Sequence, residues 1–282
     1  MNKEELDFYI ECEDFTVSRE NFKLYKDKDL DMLVTLPKPA NEDLGRYYES
    51  KDYISHTDAK RSLFEKLYQI IKKYSLRNKI RLITKMNGGI GNLLDIGAGT
   101  GDFLIEATKK KWSVNGVEPS AKAKSLAKAK GLNLELNSNK LNSNEFDVIT
   151  MWHVLEHVPD LEFQIKELKR LLKPGGYLVI AVPNFKSYDA DYYQSFWAAY
   201  DVPRHLWHFS KKSIVSLFKK EELFLEKVIP LLFDSFYVSL LSEKYKKGKM
   251  NFIKAFWIGF LSNVKAIRSK QYSSHIYVLK NK

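Results

Sequence analysis

A glycine-rich turn near the middle of the chain constrains its fold more than any other segment. Residues 93–104 read Leu-Leu-Asp-Ile-Gly-Ala-Gly-Thr-Gly-Asp-Phe-Leu, a buried strand that runs into a turn and then into an apolar helix start. Glycine lets a backbone turn sharply and approach a ligand closely. Glu118 stands twenty-one residues after the first glycine, at the predicted end of the next strand, where a carboxylate can accept hydrogen bonds from a ribose. The two features together predict a nucleoside site.

Two aspartates beside the turn narrow the choice of nucleoside. The dinucleotide fingerprint G-x-G-x-x-G would need glycine at 102, where this chain has Asp102. Asp95 adds an anion that would repel a pyrophosphate and attract an ammonium or sulfonium group. Because S-adenosylmethionine carries both cations, we expect it to be the cofactor.

Strand and helix patterns alternate after the turn, which predicts an α/β fold with a parallel sheet and helices on both faces. The predicted strands cover residues 92–96, 114–117, 132–136, 146–151 and 176–182. Ligands bind outside the carboxyl ends of such strands. Gly97 and Glu118 both follow strand ends, so two independent signals agree.

The flanking segments have other patterns. We predict a small N-terminal β module over 1–45, a helical cap or lid over 46–90, and a main domain over 91–282 with substrate-cap insertions at 186–210 and 231–270. Short strands are predicted at 15–17, 21–24, 32–36, 223–229 and 275–279, and helices at 57–86, with Thr57 and Asp58 as caps, and at 211–220.

Composition favours a folded intracellular protein. The chain has 282 residues, of which 44% are hydrophobic, enough for one large core with appendages. Its single cysteine, Cys12, excludes an intramolecular disulfide, and the N-terminus lacks the pattern of a signal peptide. We therefore expect a cytoplasmic protein.

The net charge of +11 raises the question of a nucleic-acid partner. Only 8 of the 46 basic residues are arginine, and the lysines are spread along predicted solvent faces. This pattern favours a solvated surface and no nucleic-acid partner, with a polyanion or an acidic glycolipid as the alternative.

Four segments resemble the class I S-adenosylmethionine-dependent methyltransferases. They are residues 94–101 (Leu-Asp-Ile-Gly-Ala-Gly-Thr-Gly), 116–120 (Gly-Val-Glu-Pro-Ser), 146–158 (Phe-Asp-Val-Ile-Thr-Met-Trp-His-Val-Leu-Glu-His-Val) and 171–176 (Leu-Leu-Lys-Pro-Gly-Gly). The subgroup they resemble contains ubiquinone-biosynthesis O-methyltransferases and bacterial glycan and natural-product methyltransferases, and the stretch 203–210 fits it too. The resemblance implies a Rossmann-like, doubly wound sheet of seven strands, mostly parallel, with the last strand antiparallel.

The same subgroup often carries an N-terminal zinc ribbon with two Cys-x-x-Cys pairs. Aligning on residues 35–37 puts Cys12 and Phe15 at the first pair, and Asp27 and Leu30 at the second. A tetrahedral zinc needs four good ligands. We therefore expect a degenerate, metal-free relic of the ribbon.

The turn, the strand ends and the resemblance together give a set of cofactor-binding candidates. The set is Asp95, Gly97, Ala98, Gly99, Gly101, Glu118, Pro119, Trp152 and His153. We expect Glu118 to bridge the ribose hydroxyls and Asp95 to lie near the amino group of the cofactor.

His153 is the candidate catalytic residue, because imidazole titrates near neutral pH and can take a proton from an attacking hydroxyl. A structural or substrate-shaping role is the alternative. His157, four residues later, gives a spacing compatible with a metal pair, but no acidic third ligand stands out in the sequence. We expect no metal.

An aromatic and polar loop after the fifth predicted strand is the candidate acceptor pocket. Its residues are Tyr192, Trp197, Arg204, His205 and His208. By the subgroup resemblance, Tyr47, Tyr48, Tyr53 and His56 are candidates for a lid on the cofactor.

The apolar segment 231–267 carries aromatic residues at helical spacing beside several lysines. A helical cap or a dimer face is the favoured interpretation, so the protein is a monomer or a homodimer. Weak contact with a membrane surface is the alternative.

These features predict an enzyme that moves a methyl group from the sulfonium of S-adenosylmethionine to a small-molecule acceptor, with oxygen as the expected nucleophile. Two alternatives stay open. One is a methyltransferase acting on a nucleic acid, a protein or a glycolipid; residues 151–154, Met-Trp-His-Val, lack the Asn/Asp-Pro-Pro-aromatic motif of base-modifying enzymes. The other is a catalytically weak module that binds the cofactor.

Overall fold

The computed structural model describes residues 6–40, 42–48 and 63–282, with the backbone alone for residues 63–68. The predicted lid residues Tyr53 and His56 and the predicted caps Thr57 and Asp58 lie outside the described residues. No helix in the described ranges is long and apolar enough to cross a membrane.

Ten strands and eight α-helices make up the regular structure of the described ranges. The strands are β1 (Leu6–Glu13), β2 (Asn21–Asp27), β3 (Met32–Leu36), β4 (Asn92–Ile96), β5 (Ser113–Val117), β6 (Phe146–Trp152), β7 (Leu172–Pro183), β8 (Trp207–His208), β9 (Leu223–Pro230) and β10 (Ser274–Asn281). The helices are α1 (Leu63–Asn87), α2 (Asp102–Lys109), α3 (Ala121–Ala129), α4 (Leu161–Leu171), α5 (Tyr188–Tyr193), α6 (Lys211–Lys219), α7 (Asp234–Lys247) and α8 (Phe252–Ser269).

The central sheet has the strand order β5-β4-β6-β7-β10-β9. Strands β4 to β7 are parallel, and β10 runs antiparallel to both of its neighbours. Ile96 is in register with Val117 on β5 and with Met151 on β6. The three strands therefore end together, and the residues that follow them meet at one edge of the sheet.

The prediction of seven strands in this sheet is wrong for the described residues. The segment predicted as a strand at 132–136 makes a single parallel bridge, between Glu135 and Val117. It emerges from the turn after α3 at Gly131, whose φ is +86°, and it leaves the sheet again at Leu136, which is 56% exposed. One paired residue is too few to form a strand.

Apolar residues alternate across the central sheet and fill both of its faces. Leu94, Ile149 and Ile180 pack on one face, and their chain neighbours Leu93, Val148 and Val179 pack on the other. All six are fully buried. Strands buried on both faces read as continuous apolar runs, which explains why the sequence revealed them.

The N-terminal strands form a second, antiparallel sheet with β8, in the order β1-β2-β3-β8. The strand predicted at 15–17 is absent from it. Asp14 instead accepts the backbone N–H groups of Thr16, Val17 and Ser18 at 3.0, 3.2 and 2.9 Å, which folds this segment into the turn between β1 and β2.

The positions aligned with zinc ligands lie on β1 and β2 of this second sheet and in the turns that follow these two strands. Oδ1 of Asp27 accepts the N–H of Leu30 at 2.9 Å in the turn between β2 and β3, and Cys12 is buried at 2% exposure. The relation to a zinc ribbon stays a prediction.

Candidate active site

The glycine turn joins the end of β4 to the start of α2, and its glycines meet two different needs. Gly97, Gly99 and Gly101 all have positive φ, at +71°, +55° and +78°. A Cβ on Gly97 would lie 2.4 Å from Cγ2 of Val154, so that position also needs close approach. A Cβ on Gly99 would meet nothing within 4 Å. The turn therefore presents bare backbone to open space at Gly99.

Glu118 ties the turn to the end of β5. Its Oε2 accepts the backbone N–H of Gly99 at 2.8 Å, and its Oε1 accepts that of Ser120 at 2.8 Å. The carboxylate is 8% exposed. Each of its oxygens keeps a further lone pair, so it can still accept two hydroxyl groups.

Ala98 and Pro119 flank these groups. The backbone N–H groups of Gly97 and Ala98 both donate to the carbonyl of Val117, at 2.8 and 3.0 Å. Ala98 is 8% exposed, whereas Pro119 lies on the surface. The cofactor-binding candidates of β4 and β5 thus converge at one edge of the sheet.

Asp95 is buried directly below the turn. It is 2% exposed, and its Oδ1 accepts the hydroxyl of Thr150 at 2.6 Å. Burial raises the pKa of Asp95 to about 7, against the lowering effect of the Thr150 hydrogen bond and the Lys79 charge. This carboxyl therefore changes its charge near neutral pH.

Lys79, which the sequence analysis did not single out, brings a cation to the same place. Its Nζ lies 4.1 Å from the ring centroid of Trp152, and burial lowers the pKa of this amine to about 8. Lys79 comes directly before Ile80 and lies on the inner face of α1, where an amphipathic helix usually carries an apolar residue. A lysine at such a position is the sequence signal that could have identified it.

His153 follows β6 and lies between two carboxylates. Its Nδ1 is 3.4 Å from Oε1 of Glu156, and its Nε2 is 3.2 Å from Oδ2 of Asp234. Burial alone would lower the pKa of His153, but the two carboxylates raise it to about 10. The ring is an imidazolium at neutral pH, and in that state it cannot accept a proton.

Asp234 was missed by the sequence analysis. It is the first residue of α7 and the only acid between Glu226 and Glu243. A lone carboxylate inside an apolar segment is the signal that could have identified it, although its partner is visible only in the fold.

Glu156 lies in a buried cluster with two histidines. The carboxylate is 1% exposed, and within the described residues its close charged partner is the His153 ring, 3.4 Å from Oε1. The Nδ1 atoms of His157 and His205 lie 3.0 and 2.8 Å from the carbonyl oxygens of Arg204 and Ala199. The two rings meet edge to face, with their centroids 4.5 Å apart.

This cluster could hold a cation, because one ligand atom from each of Glu156, His157 and His205 lies within 4.8 Å of the others. Burial and the neighbouring His205 lower the pKa of His157 to about 4, so its ring is neutral. The charge of Glu156 is already offset by the His153 imidazolium. The absence of a metal stays a prediction.

The structure divides the acceptor-pocket candidates. His205 joins the Glu156 cluster. Arg204 lies in a buried ion network, where it donates to Asp201, to Asp14 at 2.9 Å and to the carbonyl of Tyr47 at 2.8 Å. The cavity beside this network has a volume of about 10 Å³, room for about one water molecule.

The remaining acceptor-pocket candidates are Tyr192, Trp197 and His208. His208 Nε2 lies 3.1 Å from the hydroxyl of Thr35, and Trp197 Nε1 donates to Asp189 at 2.8 Å. Tyr192 packs edge to face on Tyr193, with the ring centroids 4.9 Å apart. None of these contacts involves His153 or Glu156.

The two described lid candidates face different ways. The hydroxyl of Tyr48 lies 3.2 Å from Nδ1 of His157 and so reaches the cluster. Tyr47 is 2% exposed and donates to Glu20 at 2.6 Å beside the second sheet.

Comparison with known families gives the class of the protein. A family model described as a methyltransferase domain matches residues 59–227. The chain belongs to this methyltransferase family. The matched region is a class I S-adenosylmethionine-dependent methyltransferase domain, and S-adenosylmethionine is the cofactor of this domain.

Similar proteins include ubiquinone biosynthesis O-methyltransferases. The one from Haemophilus ducreyi is 37% identical over 132 residues, which are 40% of this chain and 56% of the relative. A Coxiella burnetii relative is 37% identical over 34% of this chain and 46% of its own length. These two are matched over about half of their length. The Pelagibacter ubique relative is 31% identical over 172 residues, 53% of this chain and 70% of the relative.

Solved structures share the fold. Geranyl diphosphate C-methyltransferase from Streptomyces coelicolor, solved with Mg²⁺, geranyl-S-thiolodiphosphate and S-adenosyl-L-homocysteine, gives a TM-score of 0.55 at 16% identity. The match covers 81% of this chain and 84% of that one. A geranyl diphosphate methyltransferase in complex with S-adenosylmethionine gives 0.54 at 16% identity, over 82% and 95% of the two chains.

The residues at the sheet edge fit this cofactor. Gly99 leaves space beside the turn, and Glu118 keeps free lone pairs although it is buried. Nε1 of Trp152 is buried and has no hydrogen-bond partner within the described residues. A buried donor without a partner is costly unless a ligand satisfies it.

Proposed function

We propose that the protein transfers the methyl group of S-adenosylmethionine to a hydroxyl oxygen of a small-molecule acceptor. The observation that supports this most is a polar group next to the cofactor candidate Trp152: His153, Glu156 and His157 directly after β6, joined by His205 from the loop before β8. A group of hydrogen-bonding side chains suits a polar nucleophile. The similarity to ubiquinone biosynthesis O-methyltransferases, partial as it is, supports oxygen.

Four residues would hold the cofactor. The Glu118 carboxylate accepts the two ribose hydroxyls, and the bare backbone at Gly97 and Gly99 passes beneath the methionine part. Asp95, once ionised, pairs with the amino group. When bound, S-adenosylmethionine supplies an already activated methyl group, so the protein's main task is to align the acceptor oxygen with it.

His153 acts in this proposal as a positioning residue. An imidazolium with both nitrogens facing carboxylates has no lone pair for a proton. It instead holds the turn after β6 against the first turn of α7. Methyl transfer would leave the electron pair of the methyl–sulfur bond on sulfur, and the acceptor hydroxyl would lose its proton to solvent water.

His205 is the acceptor-pocket candidate that we place nearest the reaction, because its ring packs against His157 and lies beside Glu156. We propose that Arg204, with its donors engaged, holds the wall of the pocket. Tyr192, Trp197 and His208 would shape that wall from farther away.

The test is a labelling experiment with the full chain. Purified protein is incubated with S-adenosylmethionine labelled in its methyl group, either with the small-molecule filtrate of a cell extract or with its macromolecular fraction. We expect label in the filtrate, on oxygen when the product is fragmented by mass spectrometry, and much less of it with Glu118→Ala at the same cofactor concentration. Label confined to the macromolecular fraction, or absent although the cofactor binds, would overturn the proposal.

A further inference from the structure

Helix α8 mostly buries small residues and exposes large apolar ones, the reverse of an ordinary surface helix. The residues it buries are mostly small: Ala255, Ile258, Gly259, Ser262 and Ala266. Its large apolar side chains point outward, with exposed fractions from 37% at Leu261 to 76% at Ile253. We define the α8 face as Ile253, Phe256, Trp257, Phe260, Leu261, Val264 and Ile267.

The orientation of α8 is fixed by close contacts on its inner side. A Cβ on Gly259 would lie 2.9 Å from the backbone of Phe236 on α7. The hydroxyl of Ser262 donates to Oδ1 of Asp189 at 2.6 Å. Larger side chains could not take these places, so the helix cannot rotate to bury its outward face.

The α8 face is a continuous apolar surface. Phe256 stacks on Phe260 with an interplanar angle of 9°, and Trp257 meets Phe260 edge to face at 5.9 Å between centroids. Leu232 and Phe233 before α7 and Met250 before α8 are also more than 40% exposed. Contiguous apolar patches of this kind mark interaction sites.

The chain segment that carries this face is basic. From residue 244 to residue 270 the chain has eight basic residues and no acidic one: Lys244, Lys246, Lys247, Lys249, Lys254, Lys265, Arg268 and Lys270. Glu243 is the last acid in the chain. Two copies packed through this face would bring together two such basic segments. An anionic surface would complement it.

We propose that the α8 face binds the surface of an anionic lipid bilayer. The helix lies in the plane of the interface with its aromatic and aliphatic side chains among the lipid headgroups and upper acyl chains, and the lysines meet the lipid phosphates. Apolar burial and electrostatic attraction add together in this mode. The inference does not depend on the proposed methyl acceptor.

Vesicle sedimentation with the full chain tests the charge requirement. We expect binding to vesicles of phosphatidylcholine mixed with phosphatidylglycerol, weak binding to phosphatidylcholine alone, and release at high salt. Each exposed basic residue removed should weaken binding about fivefold, so Lys247→Gln with Lys249→Gln should weaken it about twenty-five-fold. Equal binding to both kinds of vesicle, or none at low salt, would overturn the proposal.

A second set of variants tests the apolar face itself. Phe256→Ser with Phe260→Ser should lose at least tenfold in vesicle affinity. The matched control is Phe163→Ser on α4, a phenylalanine that is 59% exposed, which should bind as the wild type does. An unchanged thermal transition and unchanged cofactor binding show that a variant is folded, and equal loss in the control would contradict the proposal.

Trp257 provides a direct reporter of depth. It is 55% exposed, whereas Trp112, Trp197 and Trp207 are each under 10% exposed. Brominated lipids should quench the fluorescence of the wild type and not that of Trp257→Phe. If light scattering instead shows a dimer that Phe256→Ser dissociates, and lipids leave the fluorescence unchanged, the face is an interface between two copies of this chain.

Discussion

Nε2 of His153 lies 3.2 Å from Oδ2 of Asp234, which joins the turn after β6 to the first residue of α7. The backbone of His153 has a φ of +56°, uncommon for a residue other than glycine. Its N–H donates to the carbonyl of Ala181 on β7 at 2.9 Å. The charged ring of His153 therefore connects α7 to the edge of the central sheet that carries the cofactor-binding candidates.

Breaking this pair should slow methyl transfer while the cofactor still binds. His153→Asn and Asp234→Asn should each lower turnover roughly tenfold to a hundredfold, because the reacting groups are displaced. The double variant should be little worse than either, since both changes remove the same interaction. Turnover and cofactor affinity are measured together, with Glu226→Gln on an exposed part of β9 as the control. An Asp234→Asn enzyme with full activity beside an inactive His153→Asn enzyme would instead indicate a general base.

The same pair makes stability depend on pH in a defined direction. The pKa of His153 is raised from 6.5 to about 10 in the folded protein. The contribution of His153 to the free energy of unfolding is therefore fully present below pH 6.5 and is lost as the pH rises toward 10. Urea unfolding from pH 6 to pH 10 should show the wild type losing its advantage over His153→Asn. If the difference in free energy of unfolding between the wild type and His153→Asn stays constant or widens as the pH rises, the result would be inconsistent with a protonated ring.

Cofactor affinity should increase with pH through the titration of Asp95. Burial raises the pKa of this carboxyl to about 7, and only its ionised form attracts the ammonium group of the cofactor. The competent fraction rises roughly eightfold between pH 6 and pH 7.5, and affinity should follow it. Calorimetry at several pH values should show this trend in the wild type and not in Asp95→Asn. The same dependence in both proteins would assign it to another group.

Arg204 should contribute mainly to stability. Its side chain is 4% exposed and bonds to Asp14 and Asp201, so Arg204→Ala would leave two carboxylates without their cation. Losing one partner of a buried pair costs about 3–5 kcal/mol in the free energy of unfolding. Arg19→Ala, which removes an exposed pair with Glu13, is the control and should be nearly neutral. Denaturant unfolding measures both, and similar small effects would show that the network is not stabilising.

Local sequence chemistry determined the parts of the fold that could be predicted. The strand predicted at 92–96 has the observed bounds of β4, because its apolar run ends at a glycine that only a sharp turn requires. The antiparallel last strand was implied by the family resemblance alone. The meeting of Gly99 with Glu118 could be expected because both residues follow the carboxyl ends of parallel strands. The strand predicted at 132–136 failed because Leu134 packs beneath the sheet, Leu136 is exposed, and a single residue pairs with β5.

Long-range pairings could not be predicted in the same way. Nothing local shows that Asp234 will face His153, or that Lys79 will lie beside Trp152. The prediction of His153 as a general base rested on the pKa of a free imidazole. The pairing with Asp234, which raises this pKa, is visible only in the fold. Helical spacing also identified the apolar stripe of α8 but did not tell which face is buried, which the small residues on its other side decide.

Titration calorimetry of S-adenosylmethionine tests the central claim, a nucleoside site made by the glycine turn and Glu118. The wild type should bind one equivalent, and Glu118→Ala should bind at least tenfold more weakly, because hydrogen bonds to a charged group contribute about 1.5–3 kcal/mol each. Glu135→Ala, which removes an exposed carboxylate beside the same strand, should bind as the wild type does. Equal affinity in wild type and Glu118→Ala, with both folded, would contradict the account.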